Sequence, residues 1–224
     1  MRDGLNSKPY LKGSSMSDHS ISINPSVRRE AASIRSIHAI TSAAILSAIS
    51  FALAFFEFPV PLSPSFARMD MSDFPALVGA MTLGPWAGIA VELVKNLLGL
   101  FSTSTGGIGE LANFLMGSAL SFTAGFVFYR WRGRAWLACL LGSAAMAVMA
   151  ALSNYFILLP LFESFMPLDA LIASFTEFIP FIHTKLDVVL WNAVPFNLLK
   201  GLGISFVTVL AFPKLTPILR GHTR

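Results

Sequence analysis

Residues 37–56 contain no Asp, Glu, Lys or Arg; His38 is the one side chain there that could carry a charge. An apolar helix of about 20 residues is what a crossing of the hydrocarbon core of a bilayer requires. Runs of this kind recur: 74–83, short and closed by Gly84-Pro85; 86–101, which carries Glu92, Lys95 and Asn96; 110–129; 135–162; and 186–212. The spacing predicts six membrane-spanning helices in a compact bundle, an all-α integral membrane protein. The second run is too short to stand alone in lipid and needs other helices around its ends. Pro195 removes a backbone hydrogen bond from the sixth and predicts a bend there. Composition agrees, with 54% hydrophobic and 12% charged residues in 224, where a soluble domain carries about 25% charged.

Residues 1–36 are rich in Ser and charge and have no apolar period, which predicts a mobile polar tail. The domain reading is therefore a tail at 1–36, a membrane domain at 37–213 and a short C-terminal tail at 214–224. The first apolar run starts too late and is too long for a secretory signal. Basic residues are distributed one-sidedly. Arg2, Lys8, Lys12, Arg28, Arg29 and Arg35 precede the first run; Arg130, Arg132 and Arg134 follow the fourth; Lys214, Arg220 and Arg224 follow the sixth. Arg68 and Lys185 fall on the other side, among Glu57, Asp70, Asp73, Glu163, Asp169, Glu177 and Asp187. Lys and Arg mark cytoplasmic loops, so both termini are expected in the cytoplasm of a multi-pass cell-membrane protein. The same pattern accounts for the net charge of +4 without nucleic acid as a partner.

Polar residues inside spans are costly and are treated first as functional. Glu92 and Lys95, Glu110 and Asn113, and Asn197 and Lys200 are each three apart, on one helical face. Asn154 lies toward the outer end of the fifth run. With alternating span directions, all of these fall in the outer half or near the midplane, which suggests a pocket open to the outside. Each has a structural alternative. Glu92 and Lys95 can neutralise each other, Glu110 can complement a helix N-terminus, and Asn113 can join helices. Lys200 has no acidic residue within a turn on its own helix; pairing with Glu92 across helices is its structural alternative. Lys95 and Asn113 are further binding candidates beside Asn154, Asn197 and Lys200. Ala44, Ala48 and Ala52 recur every fourth residue, a stripe along which another helix can approach closely, either within the bundle or from a partner subunit.

No catalytic constellation is visible. The His residues are scattered, no metal-ligand spacing occurs, and the lone Cys139 excludes an intrachain disulfide. G-G-I-G at 106–109 lacks the Lys-Ser/Thr of a phosphate loop. The chain is expected not to be an enzyme and to carry no cofactor or metal.

Four stretches carry a resemblance: M-D-M-S-D-F-P-A-L-V-G-A-M-T-L-G-P-W-A-G-I-A-V-E-L-V-K-N-L-L (69–98), T-G-G-I-G-E-L-A-N-F (105–114), N-Y-F-I-L-L-P (154–160) and P-F-N-L-L-K-G (195–201). In this order they strongly resemble the riboflavin-specific substrate-binding subunits, or S components, of energy-coupling-factor vitamin transporters. The resemblance covers nearly everything from the first span onward; 1–36 and 169–183 lie outside it. It implies a six-helix bundle that captures riboflavin from outside, with the Pro-rich 57–73 segment as a lid. It implies vitamin-binding roles for Asn154, Asn197 and Lys200. It also implies docking of the Ala44, Ala48, Ala52 stripe onto a membrane coupling subunit that works with two cytoplasmic ATPases. An S component for another flavin or vitamin, such as FMN, is the alternative; an intramembrane lipid enzyme using Glu92 or Lys95 is a third reading, opposed by the lack of a nucleophile.

Overall fold

The structure is a computed structural model that describes residues 25–59, 68–131, 133–165 and 167–220. The chain divides after Ser36 into two units. The described part of the first is helical from Pro25, so helix α1 (Pro25–Ala54) starts ahead of the apolar run. Residues 25–36, within the expected tail, are helical, and 1–24 lie outside the described residues.

After α1, a two-residue strand β1 (Phe58–Pro59) pairs antiparallel with β2 (Arg68–Met69), Phe58 opposite Met69. The middle of the expected lid, 60–67, lies outside the described residues. Helices α2 (Asp73–Leu83) and α3 (Pro85–Gly99) are joined at Gly84, whose φ of 121° favours a residue without Cβ. A 3₁₀ turn (Leu100–Ser102) and a Thr/Gly loop lead to α4 (Ile108–Arg130), followed by α5 (Ala135–Ser153).

Two turns of π-helix break the last two runs. α5 passes through Asn154–Leu158 into α6 (Leu159–Glu163), and α8 (Lys185–Val188) passes through Val189–Ala193 into α9 (Val194–Arg220). In each, an amide reaches five residues back, Leu159 to the carbonyl of Asn154 and Val194 to that of Val189. The next residue is proline in both cases, Pro160 and Pro195. A proline lacks the N–H for its carbonyl four back and crowds it sterically; the wider π turn relieves that crowding. The break expected at Pro195 takes this form, and it has a twin at Pro160 that the sequence reading did not anticipate. α9 runs on through Pro213 and Pro217, past the expected end of the membrane domain.

Among the described residues, four stretches are long and apolar enough to cross a membrane: Ile37–Ala54, Ile108–Arg130, Ala135–Glu163 and Lys185–Pro217. α2 and α3 have 11 and 15 residues, about 16 and 22 Å at the helical rise, short of the hydrocarbon thickness. α2 is shielded instead: Pro75 through Thr82 are buried, and α3, α4 and α9 pack around it. Leu77 and Met81 join Leu120, Met146 and Ile204 in the main core. Ser143 of α5 and Ser205 of α9, both buried, hydrogen-bond at 3.0 Å across that interface.

A second, smaller core forms between and around the ends of the fifth and sixth apolar runs. Helix α7 (Leu168–Thr176) brings Leu171 and Phe175 against Leu159, Ile182, Val188 and Val189. Thr184 and Asp187 close a capping box at α8: the Thr184 hydroxyl accepts from the Asp187 amide at 3.2 Å, and the Asp187 carboxylate accepts from the Thr184 amide at 2.9 Å. Lys185 and Glu163 pair across the two ends of the segment.

Candidate functional site

The site begins with α2, whose N-terminus is built of charge. Asp70 follows β2, and its Oδ1 accepts from the Ser72 amide at 2.7 Å; the Ser50 hydroxyl of α1 donates to the Ser72 carbonyl. Asp73 opens the helix, where its charge suits the positive end of the helix dipole. Both carboxylates are almost fully buried, with relative exposures of 4% and 1%.

Two lysines converge on them. From α3, Lys95 Nζ lies 2.5 Å from Asp73 Oδ1, 2.6 Å from Glu92 Oε2 and 3.1 Å from Ser72 Oγ. From α9, Lys200 Nζ lies 3.1 Å from Asp73 Oδ2, 3.4 Å from Asp70 Oδ2 and 3.3 Å from Asn113 Oδ1 of α4. Asp73 thus divides its two oxygens between two ammoniums on different helices. A buried charge needs close pairing to offset lost hydration. The contacts of Lys95 satisfy that tightly. Those of Lys200 to Asp70 and Asn113 are longer than the 2.7–2.9 Å or so of a strong charge-assisted bond.

Lys200 therefore meets Asp70, Asp73 and Asn113 rather than Glu92, its expected structural partner. Glu92 pairs with Lys95 on its own helix, as the spacing allowed. Its carboxyl fills space against Gly117 of α4, where an added Cβ would sit 2.5 Å from the carboxyl carbon. Asn96 extends the network, its Nδ2 donating to the Glu92 carbonyl at 2.8 Å and to Glu92 Oε2 at 3.3 Å. Sequence reasoning had placed Asp70 and Asp73 among the water-facing acidic residues of a loop. The available signal was their position at and just before the start of an apolar helix that carries no cation of its own.

Above the network lies a cavity of about 350 Å³, within the usual range for a small-molecule site. Phe51 of α1 and Phe55 just past its end, in edge contact at 5.0 Å, form an apolar wall. Glu57, Asp70, Ser72, Lys95, Asn96, Glu110 and Asn113 supply the polar lining. Glu110 is fixed by Thr103, whose hydroxyl donates to it at 2.7 Å while accepting from the Gly107 amide at 3.0 Å. It also stands in the first turn of α4, as the dipole reading expected.

Of the sequence candidates, Lys95 and Asn113 line the cavity, and Lys200 sits directly behind Asn113 and Asp70. Asn154 and Asn197 do not belong to the lining. The Asn154 amide donates to the Ala150 carbonyl at 2.8 Å and that of Asn197 to the Ala193 carbonyl at 2.9 Å, each beside a π turn. Ala44, Ala48 and Ala52 are all exposed along α1, whose buried face is Ser42, Leu46, Ser47 and Ser50. No group of three or more His, Cys, Asp and Glu suited to a metal ion occurs among the described residues.

The family model for the substrate-specific component of ECF transporters matches residues 38–212. A Staphylococcus aureus (strain TCH60) protein named riboflavin transporter RibU is 36% identical over 179 residues, covering 79% of this chain and 89% of that protein. Riboflavin transporter FmnP of Bacillus subtilis (strain 168) is 35% identical over 178 residues, covering 77% and 89%. Among solved structures, an S component of a bacterial ECF transporter superposes with a TM-score of 0.63 at 32% identity, covering 82% of this chain and 98% of that one.

Proposed function

This chain belongs to the substrate-specific components of ECF transporters, and we propose that it captures riboflavin at the outer face of the cell membrane for delivery into the cell. It is a transport subunit and not an enzyme; riboflavin is its cargo, not its cofactor. The observation that carries the reading is the pair of relatives named riboflavin transporters, each more than a third identical to this chain over most of both lengths. The cavity supports it chemically. Riboflavin is an apolar ring system with amide-like edges and a polyol chain, and an apolar wall facing a polar floor matches that division.

Asn154, Asn197 and Lys200 bind the vitamin in this proposal, with Lys95 and Asn113 beside them. Asn offers donor and acceptor, and Lys offers three donors. The long contacts of Lys200 to Asp70 and Asn113 make it the cation most readily turned toward a ligand.

The chain crosses the membrane six times, α2 and α3 included, with both termini in the cytoplasm. The one-sided basic residues support this, as do exposed Trp86, Tyr129, Trp131 and Trp136, which gather where α3 and α5 begin and α4 ends, as an interfacial aromatic belt does. The exposed Ala44, Ala48 and Ala52 stripe docks a membrane coupling subunit served by two cytoplasmic ATPases, which supply the ATP hydrolysis for which this chain has no motif.

The test is direct. The purified protein is expected to carry flavin absorbance, or to quench riboflavin fluorescence when the vitamin is added at micromolar concentration. A colourless protein that leaves added riboflavin fluorescence unchanged overturns the proposal.

A further inference from the structure

The turn that follows α7 is firmly held, and yet it directs two phenylalanines outward. The Ile179 amide donates to the Phe175 carbonyl at 2.9 Å, the Ile182 amide to the Ile179 carbonyl at 3.1 Å, and the Thr176 hydroxyl to the Ile182 carbonyl at 2.7 Å. Phe175 and Ile182 are buried in the small core, whereas Phe178 and Phe181 between them are 41% and 57% exposed. Large apolar side chains fixed in an outward position mark a contact surface. The place of Phe181 says which. Its ring meets that of Trp191 edge-on, with centroids 5.3 Å apart. Trp191 lies inside the apolar stretch Lys185–Pro217, about 9 Å beyond Lys185 at the helical rise. The turn therefore lies beside the first part of that stretch. Leu190 and Trp191 are exposed there, and Leu199, Leu202, Phe206 and Leu210 continue an exposed apolar surface along α9. Phe181 extends this surface. The charged side chains of the segment lie apart from it: Asp169, Glu177 and His183 line a shallow hollow with Ile172 and Thr176, to which Phe178, Phe181 and Trp191 do not belong.

We propose that this turn is a membrane wedge: Phe178 and Phe181 sink, with Trp191, into the boundary between lipid headgroups and acyl chains, while Asp169 and Glu177 stay in water. The proposal goes beyond the transport reading and needs only that Lys185–Pro217 crosses the bilayer. Aromatic rings favour that boundary, and a short helical segment with a charged side and an apolar edge lies within it. The lipid is met through its apolar part. Residues 163–187 hold the carboxyls of Glu163, Asp169, Glu177 and Asp187 against the one ammonium of Lys185, so an anionic headgroup finds no attraction there. Because α7 packs on Leu159 and Val188 alike, the wedge fixes the depth at which this end of the bundle sits.

Spin labels read the depth of each side chain. Phe178→Cys, Phe181→Cys, Asp169→Cys and Phe206→Cys are made singly in the full-length chain carrying Cys139→Ala, which removes the buried native thiol. Each labelled protein is placed in nanodiscs of phosphatidylcholine, alone or mixed equally with phosphatidylglycerol. Collisions of the label with oxygen, which concentrates in lipid, are compared with collisions with a water-soluble nickel chelate. The ratio of oxygen to nickel collisions is expected to be at least about fivefold higher at 178 and 181 than at 169, lower than at 206, and the same in both lipids. A ratio at 181 equal to that at 169 overturns the proposal. So does a ratio raised only with phosphatidylglycerol, which means charge attraction. Dipolar broadening between labels at 181 on two chains also overturns it, because the patch is then a contact between copies. A low ratio at 206 removes the membrane crossing and the wedge with it. The label at 178 decides alone if Phe181→Cys does not fold, and riboflavin binding enters none of these outcomes.

Discussion

Asp73 is the residue on which the buried network turns. It holds Lys95 with one oxygen and Lys200 with the other, and both lysines are almost without solvent contact. Asp73→Asn keeps the shape but leaves two ammoniums facing each other across a neutral amide, and is expected to destabilise the protein by about 3–5 kcal/mol, read as a lowered unfolding midpoint. Adding Lys200→Met should recover part of that loss; strict additivity of the two changes would show that they do not interact. Lys200→Ala and Asn197→Ala are expected to weaken riboflavin binding by about 1–3 kcal/mol each, measured by fluorescence quenching, and wild-type affinity in both would move the pocket elsewhere. Gly117→Ala forces a methyl group against the Glu92 carboxyl, at an expected cost of about 1–3 kcal/mol. The lysine was legible in the sequence as an oddity because it sits deep in an apolar run. Its partners were not. Asp70 and Asp73 adjoin a Pro-rich loop, and a carboxylate beside a loop reads as solvated until the fold shows which helices close over it.

At the level of elements, the ends of the second, third and fourth apolar runs agree with the helices to within a few residues, because Gly84-Pro85 and the Thr/Gly loop are strong breaks; α1 starts well ahead of its run and α9 ends well past its own, where no such break stands. The π turns were illegible in detail. A proline announces a missing hydrogen bond but not how the helix absorbs it, and Asn154–Leu158 looks like uninterrupted helix in sequence. α7 was unreadable for another reason: its short amphipathic stretch resembles an interfacial loop unless the Leu159 and Val188 faces are known to meet it. Five residues of a π turn rotate through about the angle of four α-helical residues, so deleting the exposed Leu190 should close the turn into an α turn with α8 and α9 still in register. Val188 and Val189 then stay in the small core, and the unfolding midpoint is expected to move by no more than a few degrees; a large fall would mean that the widened turn itself holds that core. The Lys185–Glu163 pair is about one-third exposed on both sides, and Lys185→Ala should cost no more than about 1 kcal/mol.

For the molecule as a whole, α1 from Ile37 onward buries one narrow face, Ser42, Leu46, Ser47 and Ser50, and leaves much of the rest exposed. Its Ala44, Ala48 and Ala52 stripe remains open. Ala48→Trp should leave riboflavin binding intact and block uptake in cells supplied with the coupling subunits; normal uptake would place the docking surface elsewhere. Saturating riboflavin, at about a hundred times its dissociation constant, should add about 2.7 kcal/mol of stability by mass action.

The network of Asp70, Asp73, Lys95 and Lys200 also sets an order of events during synthesis. Asp73 and Lys95 leave the ribosome close together and can meet early, as α2 and α3 form a helical hairpin. Lys200 is made more than a hundred residues later, near the end of the chain. Until then, Asp70 lacks the cation that faces it in the finished protein. The second helix, too short to hold its place in lipid alone, must wait for the last helix before its charged end is complete. A chain cut short before α9 is therefore expected to be recognised as unfinished, and to be degraded rather than stored.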